Sequence, residues 1–112
     1  MPNQKHPGIV REALFGGVGT VRVTSPLAGD SGPFTAVLAC ELAPSGSVGP
    51  HVQEEFPEVV LGCAGSGLAT VDGVPHALDP GDAVYLPLGA VLAIDNRSSE
   101  LPLTYFIVKA RS

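Results

Sequence analysis

Hydrophobic and polar positions alternate with a period of two in short runs along this chain, and each run ends at Gly, Pro, Asn, Asp or Ser. The run Thr20-Val-Arg-Val-Thr24 shows it most cleanly, with β-branched residues that suit a pleated surface. The mixed run from Ile9 to Phe15 predicts a first strand, and Gly16-Gly-Val-Gly19 a turn. Further strands are expected over 34–42, around His51, and over 58–63, 68–71, 74–78, 83–87, 90–95 and 103–109. Between them, 25–33 carries turn residues throughout, and Asp72-Gly73 between apolar runs is the strongest hairpin signal in the chain. No segment repeats apolar residues at helical spacing. About ten short strands at this spacing predict an all-β fold, a sandwich or a jelly-roll barrel.

The 112 residues allow one domain and one core, here 9–112, preceded by a polar arm over 1–8. Fourteen Gly and eleven Pro supply the punctuation that many short strands require. Net charge is −5, and Lys5, Arg11, Arg22, Arg97, Lys109 and Arg111 are scattered rather than striped. With no Trp and few aromatics, neither a phosphate-tracking surface nor a base-stacking platform is expected, so nucleic acid is excluded as a partner. The apolar runs are too short to span a bilayer, and the first eight residues lack the apolar core of a signal peptide. A cytoplasmic protein without membrane association is the expectation. Cys40 and Cys63 stand alone, without CxxC spacing, and are expected to be two small buried hydrophobes. The glycine-rich turn at 16–19 is followed by a strand rather than a helix, which removes a dinucleotide-binding reading.

Candidate chemistry concentrates between Gly46 and Gly65. His51 and Gln53 are two residues apart, so on a strand both leave the same face. Pro57 interrupts pairing, and Glu58 opens the next apolar run. An imidazole, an amide and a carboxylate are therefore expected to converge from two adjacent strands, as a metal shell or as a polar patch inside a barrel.

These residues carry a family likeness. Gly46, His51, Gln53, Glu58 and Gly65 follow the first motif of the cupin superfamily, with four rather than five residues after the first Gly. Gly81, Pro87, Gly89, Leu92 and Asn96 follow the second, with every spacing intact. Over 34–108 the chain resembles the small single-domain cupins, which implies a double-stranded β-helix, or jelly-roll, barrel. In that family the two His and the Glu of the first motif and a His of the second hold one divalent metal. Here the second of these positions is Gln53 and the last is Leu92, so the resemblance implies a metal set reduced to His51, Gln53 and Glu58, for Mn, Fe, Ni or Zn. Glu54 and Glu55 flank the motif, and His76 is a remote further donor.

Two readings of this set stand side by side. In one, a small organic metabolite binds in the barrel and a metal assists work on a carbonyl or enol, with His51 or Glu58 moving the proton. In the other, the barrel is metal-free and binds or senses a ligand, His51 and Glu58 forming a hydrogen-bonded pair that is still a candidate acid–base couple. Strand parity predicts a mostly apolar lining that includes Leu92 and Ile94, with Ala90 and Asn96 on the same side of the strand and Phe56 and Tyr85 near the mouth. A third reading is a structural partner whose main business is its dimer interface, and the resemblance implies a homodimer formed by sheet packing.

Overall fold

The computed structural model describes residues 8–27 and 31–111, so the expected arm, apart from Gly8, lies outside the described residues, as does part of the 25–33 loop. Among the described residues there are ten strands. They are β1 (Ile9–Glu12), β2 (Thr20–Thr24), β3 (Phe34–Leu42), β4 (Ser47–Val52), β5 (Glu58–Ala64), β6 (Gly67–Val71), β7 (Val74–Leu78), β8 (Ala83–Leu86), β9 (Val91–Asn96) and β10 (Leu103–Ala110). Every pairing is antiparallel. One sheet has the order β1-β2-β3-β10-β5-β8 and the other β4-β9-β6-β7. The two sheets close over one core as a jelly roll, in agreement with the expected fold.

Alternation explains both the pairing and the core. On β10, Leu103, Tyr105, Ile107 and Lys109 share the inward row while Phe106 and Val108 face out. Leu42, Leu78, Leu86, Leu92 and Leu103 are completely buried, each contributing about 2 kcal/mol relative to an exposed side chain. The β6–β7 hairpin turns at Asp72 (φ 49°) and Gly73 (φ 82°). Two successive positive φ values give the twist that a two-residue hairpin needs, and Gly and Asp tolerate them better than most residues.

Two local expectations change. The strand predicted from Ile9 stops at Glu12, and Leu14–Gly16 forms a 3-10 turn. Cys40 is buried but Cys63 is exposed, and both are free thiols. Cys63 falls in an irregularity of the β5–β10 ladder, where Thr104 pairs with Ala64 and Tyr105 with Gly62, so Cys63 has no partner across the ladder. Among the described residues no helix is long and apolar enough to cross a membrane.

Candidate functional site

His51 lies on β4 in the four-stranded sheet, directly opposite Leu92 of β9. Its Nδ1 is 2.9 Å from the carbonyl oxygen of Gly49. A carbonyl only accepts, so Nδ1 carries the proton and Nε2 keeps its lone pair. The ring stacks on Phe15, with centroids 4.1 Å apart and planes 12° from parallel. Burial holds the His51 imidazole below its usual range. The Gly49 carbonyl opposes this, and the charge of Lys109 adds to it. His51 is therefore a neutral base with one free nitrogen.

The stack depends on an unusual piece of backbone. Ala13 (φ 51°) and Phe15 (φ 52°) are both left-handed, a conformation that costs a residue with a Cβ roughly 1–2 kcal/mol. Contacts with β4 hold the turn in place. Val18 and Ser47 exchange backbone hydrogen bonds of 3.1 and 2.7 Å. A Cβ on Gly17 would collide with the Ser47 carbonyl, and one on Gly49 with the Phe15 carbonyl. The two glycines let the turn lie directly on the strand, which places the Phe15 ring over His51.

Glu58 comes from the facing sheet. It is the first residue of β5 and pairs in register with Lys109 of β10. The expected convergence from two adjacent strands is thus corrected: β4 and β5 are consecutive in sequence but belong to different sheets, so His51 and Glu58 face one pocket from opposite walls, without the hydrogen bond expected between them. Glu58 is 3% exposed. The Lys109 ammonium lies 3.5 Å from its Oε2, too far for a strong hydrogen bond. Neither carboxylate oxygen has a hydrogen-bond partner among the described residues. Burial pushes the Glu58 carboxyl above its usual range, and Lys109 only partly offsets this. Deeper in, Tyr105 lies directly opposite Cys40 across the β3–β10 ladder, and its hydroxyl favours the thiolate form of that cysteine. Burial pushes the Cys40 thiol up to about 12, against the pull of Tyr105 and with help from the nearby Glu58 charge. Burial likewise raises the Tyr105 phenol. Both stay protonated at neutral pH.

These side chains share a pocket of about 840 Å³ at one end of the barrel. Its lining includes His51, Gln53, Glu58, Phe56, Leu92 and Ile94. Gln53 is 4% exposed. Its backbone is held by Ala90 and Gly89 at 2.9 and 2.7 Å. Glu54 and Glu55 lie exposed on the rim. Tyr85 is not part of the site: Val84 and Leu86 occupy the inward positions of β8, which turns Tyr85 outward to 64% exposure. His76 is exposed on β7 and does not line the pocket, and Asn96 points into the opposite end of the barrel, hydrogen-bonded to the Leu42 carbonyl. The motif reading missed Lys109 and Phe15. For Lys109 a signal existed, because it continues the apolar inward row of β10.

The donor set does not fit a divalent cation. An open catalytic metal site takes three protein donors. Of the three candidates here, the Gln53 amide is uncharged and the Glu58 carboxylate already faces an ammonium, which leaves the His51 imidazole as the one strong uncommitted donor. The fourth position is the aliphatic Leu92, opposite His51. Among the described residues no three His, Cys, Asp or Glu side chains are grouped to hold a metal.

Residues 38–109 match the family model described as a cupin domain. Over 59 residues the chain is 41% identical to the dimethylsulfoniopropionate lyase DddW of Ruegeria pomeroyi, a match covering 52% of this chain and 38% of that enzyme. The chain thus spans well under half the length of this relative. The fold is similar to that of a predicted oxalate decarboxylase from Thermotoga maritima, with a TM-score of 0.87, 21% identity and coverage of 96% and 95% of the two chains. It is also similar to a Cupin 2 conserved barrel domain protein from Salinispora arenicola, with a TM-score of 0.69, 23% identity and coverage of 93% and 82%.

Proposed function

The chain belongs to the cupin family, and on that premise we propose that its barrel binds a small organic metabolite and moves a proton on it between His51 and Glu58. The carrying observation is the Glu58 carboxylate, buried to 3% exposure with neither oxygen hydrogen-bonded among the described residues, at the wall of a pocket of about 840 Å³. A buried carboxylate left this way is costly unless something else meets it.

The two groups suit acid–base work. Burial keeps the imidazole neutral and raises the carboxyl, drawing their affinities for a proton toward each other. Glu58 enters the cycle as the carboxylic acid. His51 Nε2 takes a proton from carbon beside a carbonyl, and Glu58 on the facing wall gives one to the substrate. The proton left on His51 returns to Glu58 through solvent, so the substrate is isomerised and both groups are restored. The likeness to a lyase over part of the chain supports an enzyme rather than a passive binder. As a second element of the proposal, two copies pair through the outer face of the six-stranded sheet, where Leu61, Tyr85 and Phe106 are exposed. Light scattering over a dilution series tests that pairing.

The test of the function is a metabolite screen by thermal shift, followed by turnover assays on the hits. His51→Asn and Glu58→Gln are expected to fold and to lower turnover about 100-fold or more. Full activity in both variants overturns the assignment. Hits that bind without turnover leave a binding or sensing barrel instead.

A further inference from the structure

Lys109 stands where an apolar residue is expected. The inward row of β10 runs Leu103, Tyr105, Ile107, Lys109, so its stem enters the barrel wall beside Ile107, with the side chain one-third exposed. It lies directly between Glu58 on β5 and Ala36 on β3. An ammonium has three hydrogens to donate. Among the described residues the Glu58 carboxylate, at 3.5 Å, is the one acidic group within ion-pair distance. Across the same pocket the buried Gln53 side chain makes no hydrogen bond with the described residues. An aliphatic wall of Leu92, Ile94 and Ile107 lines the same pocket, beside Cys40, Tyr105 and the buried Thr35 hydroxyl.

We propose that the Lys109 ammonium is the resident cation of this barrel, taking over the charge role for which the donor set no longer suits a metal, and that with the Gln53 amide it binds the carboxylate of a small aliphatic acid. This rests on the proposed function for placing the substrate in the pocket, and it adds the class of substrate and the group that anchors it. Charge selects a monoanion. Arg11 and Lys109 line the pocket against Glu54, Glu55 and Glu58, two positive groups facing three acidic ones. With Glu58 carrying the proton that the proposed function asks of it, the two signs balance, so the Lys109 ammonium can take one carboxylate while a phosphate dianion is disfavoured. An acid held there lays its carbon chain along the aliphatic wall, within the same pocket as His51 Nε2 and Glu58.

The test is calorimetric titration of short-chain hydroxy and keto acids, and of their primary amides, into the full chain in the presence of a chelator. The acids bind wild-type protein and the amides do not. Lys109→Met weakens acid binding about tenfold or more, the loss of a charge-assisted contact, and Lys109→Arg retains part of it. Because Lys109→Met leaves Glu58 buried without its partner, the doubly substituted Glu58→Gln, Lys109→Met protein provides a folded control and also fails to bind the acids. If amides bind as well as acids, and Lys109→Met binds both, the Lys109 assignment falls while the pocket of the proposed function stands. If neither class binds wild-type protein, both fall. If wild-type protein purified without chelator retains a stoichiometric divalent metal and chelator abolishes acid binding, the ammonium is not the resident cation.

Discussion

Asn96 and Glu58 are both buried polar side chains on the inner wall, and the barrel treats them in opposite ways. At the end marked by Leu42 and Leu103, the Asn96 amide donates to the carbonyls of Leu42, Ala43 and Leu101 at 3.2, 3.1 and 2.9 Å, and its oxygen accepts from Ser98 N at 2.9 Å. At the other end, six residues along β10, the Glu58 oxygens have, among the described residues, only an ammonium at 3.5 Å. Asn96 stitches the 97–102 loop to β3 and closes the barrel. Among the described residues nothing comparable closes the Glu58 end, where Gln53 and His51 face the same pocket. A polar group kept for structure has its bonds made by the protein, and one left open inside a pocket is kept for something that arrives.

The largest effect that sharpens this contrast is expected from Asn96→Ala. It leaves three backbone carbonyls short of their donor and should cost about 2–4 kcal/mol in urea unfolding. A loss below about 1 kcal/mol would remove the structural half of the comparison. Gly49→Ala comes next. Its Cβ would meet the Phe15 carbonyl, so the 3-10 turn must lift from β4, at about 1–3 kcal/mol, with loss of the Phe15–His51 stack visible in the ring-current shifts of the imidazole.

Glu58→Gln should instead change stability in a pH-dependent way. The folded state holds the Glu58 proton more tightly than the unfolded chain does, because burial raises the carboxyl from its ordinary value of 4.5. Its contribution is therefore greatest in acid and is lost as pH rises from about 4.5 toward the raised folded value. His51 acts in the opposite sense: held low by burial, it resists protonation, and stability falls as pH drops below its ordinary 6.5. Relative to wild type, Glu58→Gln should gain stability as pH rises through that window and level off above it, while His51→Asn should gain on the acid side. Parallel curves for wild type and Glu58→Gln would mean that the carboxylate is better solvated than its burial indicates. Phe15→Ala is the smallest of these effects, about 1 kcal/mol, with the His51 titration moving up toward its free value as the ring is uncovered.

The strands were legible because the core lies on one side of each and period-two alternation records that directly. The β6–β7 turn was legible for a related reason, since Asp72-Gly73 is a local solution to two positive φ values. His51, Gln53 and Glu58 were found through the spacing of the first motif, although their separation onto facing sheets was not, because sequence proximity says nothing about which sheet a strand joins. Tyr85 was misplaced for want of parity: Val84 and Leu86 are the apolar pair that must turn inward. Lys109 was overlooked because a charged residue near a chain end suggests solvent, while β10 is the strand that pairs with both β3 and β5. Phe15 had no signal at all. Its position depends on left-handed backbone at a non-glycine residue, which no propensity favours.

The central claim can be read from two side-chain amides in one spectrum. In a nitrogen–proton correlation experiment, a short-chain hydroxy acid is titrated into the full chain with chelator present, and the Gln53 and Asn96 side-chain resonances are followed. The account predicts that Gln53 shifts saturably while Asn96 stays in place. A Gln53 resonance that does not move, or an Asn96 resonance that moves equally, would contradict it.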